Sequence, residues 1–165
     1  MLLPELKDAL NEQLNKELYS SYLYLAMSCY FESINLAGFA SWMRAQAKEE
    51  VEHSMKYYDF LFSRGSSVEL KTVDAPPSTW DSPLSAFEDA YRHEQDVTKD
   101  INQIVDLSIS KSDHATNNFL QWFVAEQVEE EASVSAIVEK LKMIGDEQAA
   151  LVMVDRELSS RVDVA

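Results

Sequence analysis

Residues 48–53 read KEEVEH and place Glu50 and His53 three residues apart in the middle of an amphipathic helix pattern. A carboxylate and an imidazole at this spacing lie on one face of an α-helix, where they can bind the same metal ion. Together with acids at the same height on other helices, they predict a metal centre inside a helical bundle. Those acids, one on each of three other helix patterns, are Glu17, Glu94 and Glu130.

The composition excludes several classes of protein. The chain of 165 residues is long enough for one domain with a core, and its formal charge of −15 argues against a nucleic-acid partner. Cys29 is the one cysteine, so a disulfide framework is excluded, and we expect a small core residue there. The first residues, MLLPE, lack the basic and apolar regions of a signal peptide. We therefore expect a cytoplasmic protein with no membrane span.

Apolar residues recur in steps of three and four along four long segments, a spacing that predicts an all-α bundle. We expect a single domain over residues 1–165. The segment after Gly145 predicts a short fifth helix with little core of its own to join. The predicted helices span about 4–34, 38–64, 83–110, 113–144 and 147–158.

The second and third helices are joined by residues 65–82, which show no helical period and include a short β-like run from Val68 to Val73. The second helix is roughly 40 Å long at 1.5 Å per residue. The connecting segment of 18 residues can span up to about 60 Å when extended. It can therefore cross the whole bundle and make the second and third helices parallel. The other linkers are short, which predicts antiparallel hairpins.

Each long helix is apolar at both ends of its inner face and polar in the middle. Carboxylates brought together in a low-dielectric core are costly unless cations compensate them, and two divalent metal ions would balance four such charges. Solvated glutamates on an oligomeric surface are the alternative, which acids at matching heights on four helices disfavour. The polar positions are Glu17, Glu50, His53, Glu94, Gln127 and Glu130.

One glutamate from each of two helices plus two Glu-x-x-His pairs is the ligand pattern of di-iron carboxylate bundles. This chain departs from it once, because Gln127-x-x-Glu130 stands where the second pair is expected. The second metal should therefore lack a histidine ligand and bind more weakly. Oxygen and imidazole donors suit iron, manganese or zinc, so the ligand types leave the metal open.

Three stretches resemble bacterial non-haem ferritins: NEQLNKELYSS at 11–21, EEVEH at 49–53 and NFLQWFVAEQVEEE at 118–131. The resemblance covers the whole chain, including the crossover and the short fifth helix. It implies a ferritin-like four-helix bundle in a homo-oligomeric shell of 24 subunits. The implied function is iron storage and detoxification, in which a ferroxidase oxidises Fe(II) to Fe(III) with dioxygen or hydrogen peroxide and stores a ferric mineral.

The resemblance also implies roles for the polar residues. Glu17, Glu50 and His53 match ligands of one iron. Glu50, Glu94 and Glu130 match ligands of the other, with Glu50 bridging. Gln127 matches a residue beside the pair, and Tyr24 matches a tyrosine next to it that can be oxidised. A buried tyrosine with a satisfied hydroxyl is the alternative for Tyr24.

A third iron site near the first two is also implied by the resemblance. Glu126 lies one helical turn from two of its partners, which supports the site. The alternative is an acidic stripe that is solvated on the outside of the bundle. The matching ligands are Glu49, Glu126, Glu129 and Glu130.

Haem is not expected, because Val51 follows Glu50 where a bacterioferritin carries a haem-ligating methionine. A second function class stays open at this point. The chain could be a helical scaffold or interaction protein with a structural metal and no ferroxidase activity. Rapid oxidation of added Fe(II) would separate the two classes.

Overall fold

The computed structural model describes residues 1–161 and has the all-α architecture expected from the sequence, four long helices with a crossover and a short fifth helix. Each helix begins and ends within one residue of its expected position. Within the described range, no helix is both long and apolar enough to cross a membrane. The helices are α1 Pro4–Ser33, α2 Ala37–Ser63, α3 Pro83–Ser110, α4 His114–Ile144 and α5 Gln148–Leu158.

The connection between α2 and α3 runs along α1 from one end of the bundle to the other. In the first half of α1, the Asn15 side-chain amide donates a hydrogen bond of 2.8 Å to the Glu69 carbonyl. Near the end of α1, the Tyr30 and Trp80 rings pack with centroids 5.5 Å apart. The chain therefore returns to the end of the bundle at which α2 began, and α2 and α3 are parallel as expected.

The β-like run in this connection does not form a strand. Its backbone amides bond to side chains of α1 instead of to a neighbouring strand. Glu69 N donates to Asn11 Oδ1 and Lys71 N donates to Asn15 Oδ1, each at 2.7 Å. These two asparagines satisfy backbone groups that β-propensity alone would have assigned to a sheet.

Side-chain caps fix where the second pair of long helices begins. Ser82 and Ser85 form a reciprocal capping box at the start of α3, with both hydrogen bonds at 3.0 Å. Asp113 caps α4 by accepting from Thr116 N at 2.9 Å. The same carboxylate accepts from both terminal nitrogens of Arg64, at 3.0 and 2.9 Å, which ties the end of α2 to the start of α4.

Apolar side chains form two core clusters, one at each end of the bundle. One joins the end of α1 to the start of α2 and includes the stacked rings of Phe31 and Phe39, 5.1 Å apart. The other joins the start of α1 to the end of α2 and includes Leu10 and Tyr57. On each long helix, the polar positions identified in the sequence lie between the two clusters. Cys29 is exposed on α1, so our expectation that it belongs to the core was wrong.

The short helix α5 packs on the start of α2. Val154 and Leu158 are buried in the adjoining core cluster, so the expectation that α5 has little core to join was wrong. The Asp155 carboxylate accepts from Gly38 N at 2.8 Å and Phe39 N at 3.0 Å. First-turn amides of a helix have no intrahelical partner, and a carboxylate from α5 satisfies two of them here.

Gly38→Ala is expected to destabilise the protein by about 1–3 kcal/mol and to loosen α5. A Cβ at this position would lie 1.7 Å from the Asp155 carbonyl oxygen, a backbone atom that moves only with the whole of α5. Calorimetry would measure the loss, and hydrogen exchange at Val154 and Leu158 would report the loosening. Gly65→Ala is the control, because it strains a backbone φ of +66° but meets nothing within 4 Å. Unchanged exchange in Gly38→Ala would contradict this account.

Candidate metal centre

Three of the predicted ligands converge in the polar layer between the two core clusters. Glu17 of α1 and Glu50 and His53 of α2 each place a ligand atom within 4.8 Å of the others. His53 Nδ1 lies 3.3 Å from Glu50 Oε2 and 4.0 Å from Glu17 Oε2. All three residues are buried. Rigid helices thus hold two carboxylates and one imidazole at a separation that a single cation can span.

Glu94 of α3 and Glu130 of α4 face this group from the other half of the bundle. Their negative charges both act on the Glu50 carboxylate and help to raise its pKa. Gln127 Nε2 donates to Glu94 Oε2 at 3.1 Å, and the buried Tyr24 hydroxyl donates to Glu94 Oε1. Both oxygens of Glu94 are therefore oriented by hydrogen bonds from neighbouring helices.

Burial is the largest cause of the raised pKa values of the carboxyl groups in this layer. It raises the pKa of Glu17 and of Glu50 well above the ordinary range of a carboxyl group, and the repulsion between neighbouring carboxylates adds to it. Burial and the Glu94 charge raise the pKa of Glu130 to about 8. Because these pKa values are raised, a bound cation would compete with protons for the carboxyl groups of this layer.

Two buried glutamines that the sequence analysis did not assign hold the carboxylates in place. Gln13 Nε2 donates to Glu17 Oε1 at 2.8 Å. Gln46 Nε2 donates to Glu130 Oε2 at 2.5 Å and lies 3.5 Å from Glu50 Oε1. The sequence does indicate this role, because each glutamine precedes a predicted ligand by four residues and so lies on the same helix face.

Aromatic rings from α4 fix the orientation of the His53 side chain. Trp122 meets the imidazole edge-on with centroids 5.4 Å apart, and Phe123 does so at 6.1 Å. The outer side of Trp122 is covered by the Lys56 ammonium, 4.4 Å from the ring centroid. Trp122 therefore limits the rotation of the His53 side chain, a candidate ligand.

The residues predicted to hold a third metal are only partly brought together. Glu126 and Glu130 form a group with His53 in which ligand atoms lie within 4.8 Å of one another. Glu49 and Glu129 are outside this group. Glu129 is exposed, and Glu49 is turned toward Arg161, whose guanidinium lies 2.7 Å from its carboxylate.

His93 is half-buried behind the centre, although its neighbour Glu94 points inward and adjacent residues of a helix point in different directions. Its Nε2 lies 2.7 Å from Ser20 Oγ, and its ring meets Tyr24 edge-on with centroids 6.4 Å apart. Burial lowers the pKa of His93, so the ring is neutral at physiological pH. A neutral ring here packs beside Tyr24 without adding a charge to the centre.

Comparison with known proteins agrees with this fold. A family model for the Ferritin-like domain matches residues 7–144. A protein of Bacteroides fragilis (strain 638R) named "Bacterial non-heme ferritin" is 41% identical over 161 residues, covering 98% of this chain and 100% of that protein. The open pore ferritin of Archaeoglobus fulgidus has a TM-score of 0.97 and 54% identity, covering 98% of this chain and 100% of that one. A humanized archaeal ferritin has a TM-score of 0.99 and 50% identity over 100% of both chains.

The chain therefore belongs to the ferritin-like domain family. The similarity to bacterial non-haem ferritins, predicted from three short motifs, is confirmed over nearly the full length of the chain. The ferritin-like fold that this resemblance implied is confirmed as well.

Proposed function

We propose that the protein is a ferroxidase that oxidises Fe(II) to Fe(III) and stores the product as a ferric mineral. The observation that carries this proposal is the buried group of Glu17, Glu50 and His53, which faces two further glutamates inside a ferritin-like bundle. Buried acids are typical of a functional site when their pKa values are raised and their charges do not hold the fold together. Iron is the substrate and cargo of the protein in this proposal.

In this proposal the centre binds two Fe(II) ions on either side of Glu50. Glu17, Glu50 and His53 hold the first, and Glu50, Glu94 and Glu130 hold the second. The distances around His53 support the first assignment, and the charges of Glu94 and Glu130 acting on Glu50 support the second. The second ion is bound by oxygen alone, which makes it the weaker and more exchangeable of the two.

Each Fe(II) gives up one electron, so a pair supplies the two electrons that reduce dioxygen to hydrogen peroxide or hydrogen peroxide to water. The surrounding carboxylates stabilise the higher charge of Fe(III) as it forms. The Tyr24 hydroxyl donates a hydrogen bond to Glu94. In this proposal Tyr24 lies next to the two iron ions and can also supply an electron. Gln127 orients Glu94 from the other side.

We further propose a third iron at the outer edge of the centre and no haem. Glu126 and Glu130 support the outer position, where Glu49 and Glu129 would complete the ligand set. The pKa of Glu126 is raised by burial and by the charges of Glu129 and Glu49, which places these acids within electrostatic reach of one another. A cytoplasmic location is proposed with the function, since the lone Cys29 suits a reducing compartment.

Addition of Fe(II) in air tests the proposed function. Metal-free protein given two Fe(II) per subunit should oxidise them much faster than buffer does, and further additions should leave the iron in solution. Oxidation at the rate of buffer with precipitation of the iron would instead favour the scaffold alternative, in which the core acids hold a structural metal.

We expect the native protein to be a closed homo-oligomeric shell of roughly 24 subunits. Exposed apolar side chains such as Tyr58, Phe62 and Met153 lie on α2 and α5, where an assembly would bury them. Light scattering should give a mass of roughly 24 times the 18.8 kDa of one chain. A stable monomer or dimer at neutral pH would contradict this expectation.

A further inference from the structure

Arg161, which follows α5, forms hydrogen bonds to α2 beside the metal centre. Its two terminal nitrogens donate to different acceptors on α2, Nη1 to Gln46 Oε1 at 3.0 Å and Nη2 to Glu49 Oε2 at 2.7 Å. The guanidinium carbon also lies 4.6 Å from the centroid of the Trp42 ring. The pair with Glu49 is about three-quarters shielded from solvent, with side-chain exposures of 24% and 25%. A forked contact of this kind holds Arg161 in one place.

The contact with Gln46 sets the direction in which that amide points. Because Gln46 Oε1 accepts from Arg161, its Nε2 is directed away, toward Glu130 at 2.5 Å. Arg161 thereby acts on a proposed iron ligand through one intermediate side chain. It also neutralises Glu49, one of the acids proposed to hold the outer iron.

Glu49 Oε2 accepts from the Arg161 guanidinium at 2.7 Å, so a metal ion cannot bind that oxygen while the contact is intact. We propose that Arg161 is a built-in counter-cation of the outer site, and that an outer metal ion binds Glu49 only by displacing it. This inference rests on the proposed function. The outer site is then kept weak, so metal ions fill the two inner positions first and leave the outer one exchangeable. When a metal ion does bind there, Arg161 is released from α2.

Anaerobic titration with Zn(II), which is not oxidised, tests this proposal on the intact protein. Arg161→Gln should tighten the outer class of sites about tenfold and leave the two inner sites within about twofold of wild type. Arg161→Lys keeps the charge but cannot form the forked contact, so its affinity for the outer metal ion should lie between wild type and Arg161→Gln. Arg156→Gln is the matched control, because it removes the same charge from an exposed position of α5. In Zn(II)-soaked crystals, Arg161 should be withdrawn from Glu49 wherever the outer site is filled.

The proposal is overturned if Arg161→Gln leaves the outer class unchanged or weaker. It is also overturned if Arg156→Gln tightens that class equally, since the effect would then be one of net charge. Crystals with an outer Zn(II) and an intact contact between Arg161 and Glu49 would contradict displacement directly. Fewer than two tight sites in the wild type would contradict the proposed function itself and remove the basis of this inference, a result visible before any variant is compared.

Discussion

Replacing Glu50 with alanine should slow the initial oxidation of Fe(II) by on the order of 100-fold. Glu50 is proposed to touch both iron ions, so its loss would remove a ligand from each and the bridge between them. His53→Ala should cost a similar factor, because it removes the one nitrogen donor of the group. Stopped-flow measurement at two Fe(II) per subunit would record the rates.

Glu49→Ala and Glu52→Ala are the comparisons for this experiment. Glu49 is paired with Arg161 outside the inner group, so its loss should reduce the first-turnover rate by no more than a few fold. Glu52 is an exposed acid on the same helix and should have no effect. A wild-type rate in His53→Ala together with an inactive Glu49→Ala would reverse the proposed assignment of inner and outer sites.

Raising the pH from 5 to 8 is expected to destabilise the metal-free protein. The pKa of Glu130 is about 8 in the folded protein because of burial and the Glu94 charge, against an ordinary value of 4.5. The folded state therefore keeps a proton that the unfolded chain has released. The resulting stability is fully present below pH 4.5 and is lost as the pH rises through 8. For Glu130 alone the loss is on the order of 4 kcal/mol, and the raised pKa values of Glu17 and Glu50 act in the same direction.

Two other groups limit the pH window in which this effect should be measured. Arg64 holds the pKa of Asp113 at about 2, so the stability that Asp113 contributes is constant above pH 4 and is lost only in stronger acid. Burial lowers the pKa of His93 below 6.5, so its contribution is present above that pH and falls as the pH drops. His93 therefore opposes the carboxyl groups only at the acidic end of the window.

Calorimetry of the metal-free protein between pH 5 and 8 would measure the expected fall in the unfolding temperature. Each kcal/mol corresponds to about 2–4 °C in a domain of this size. Glu130→Gln keeps an acceptor for Gln46 and should flatten the curve. Zn(II) at pH 8 should restore the unfolding temperature, because the metal replaces the missing protons. An unfolding temperature that stays constant or rises toward pH 8 would show that these carboxyls are already ionised in the folded state.

The sequence marks the candidate ligands because a buried acid interrupts an apolar pattern. Glu17 and Glu94 stand where steps of three and four call for a leucine or valine, and that conflict is visible in a single chain. The long crossover was equally readable, since the connecting segment is long enough to pass across the whole bundle. Both inferences depend on local spacing, which the sequence records directly.

Contacts between distant segments could not be read in this way. Asp155 caps α2 from α5, and Arg161 reaches Gln46 over 115 positions of sequence separation. Neither residue breaks a local pattern, so nothing in its own segment marks it. Gln13 shows how a contact that the sequence does not reveal changes the expected effect of a substitution on stability. From the sequence, Glu17→Leu would relieve an uncompensated charge, but in the structure it would also strip the buried Gln13 amide of its acceptor.

The central claim, that two iron ions share Glu50 inside the bundle, is tested most directly by anomalous diffraction at the iron edge. Crystals would be soaked with Fe(II) under anaerobic conditions. We predict two anomalous peaks per subunit in the polar layer, one bound by Glu17, Glu50 and His53 and the other by Glu50, Glu94 and Glu130. No peak in this layer, or a single ion held without Glu50, would contradict the account.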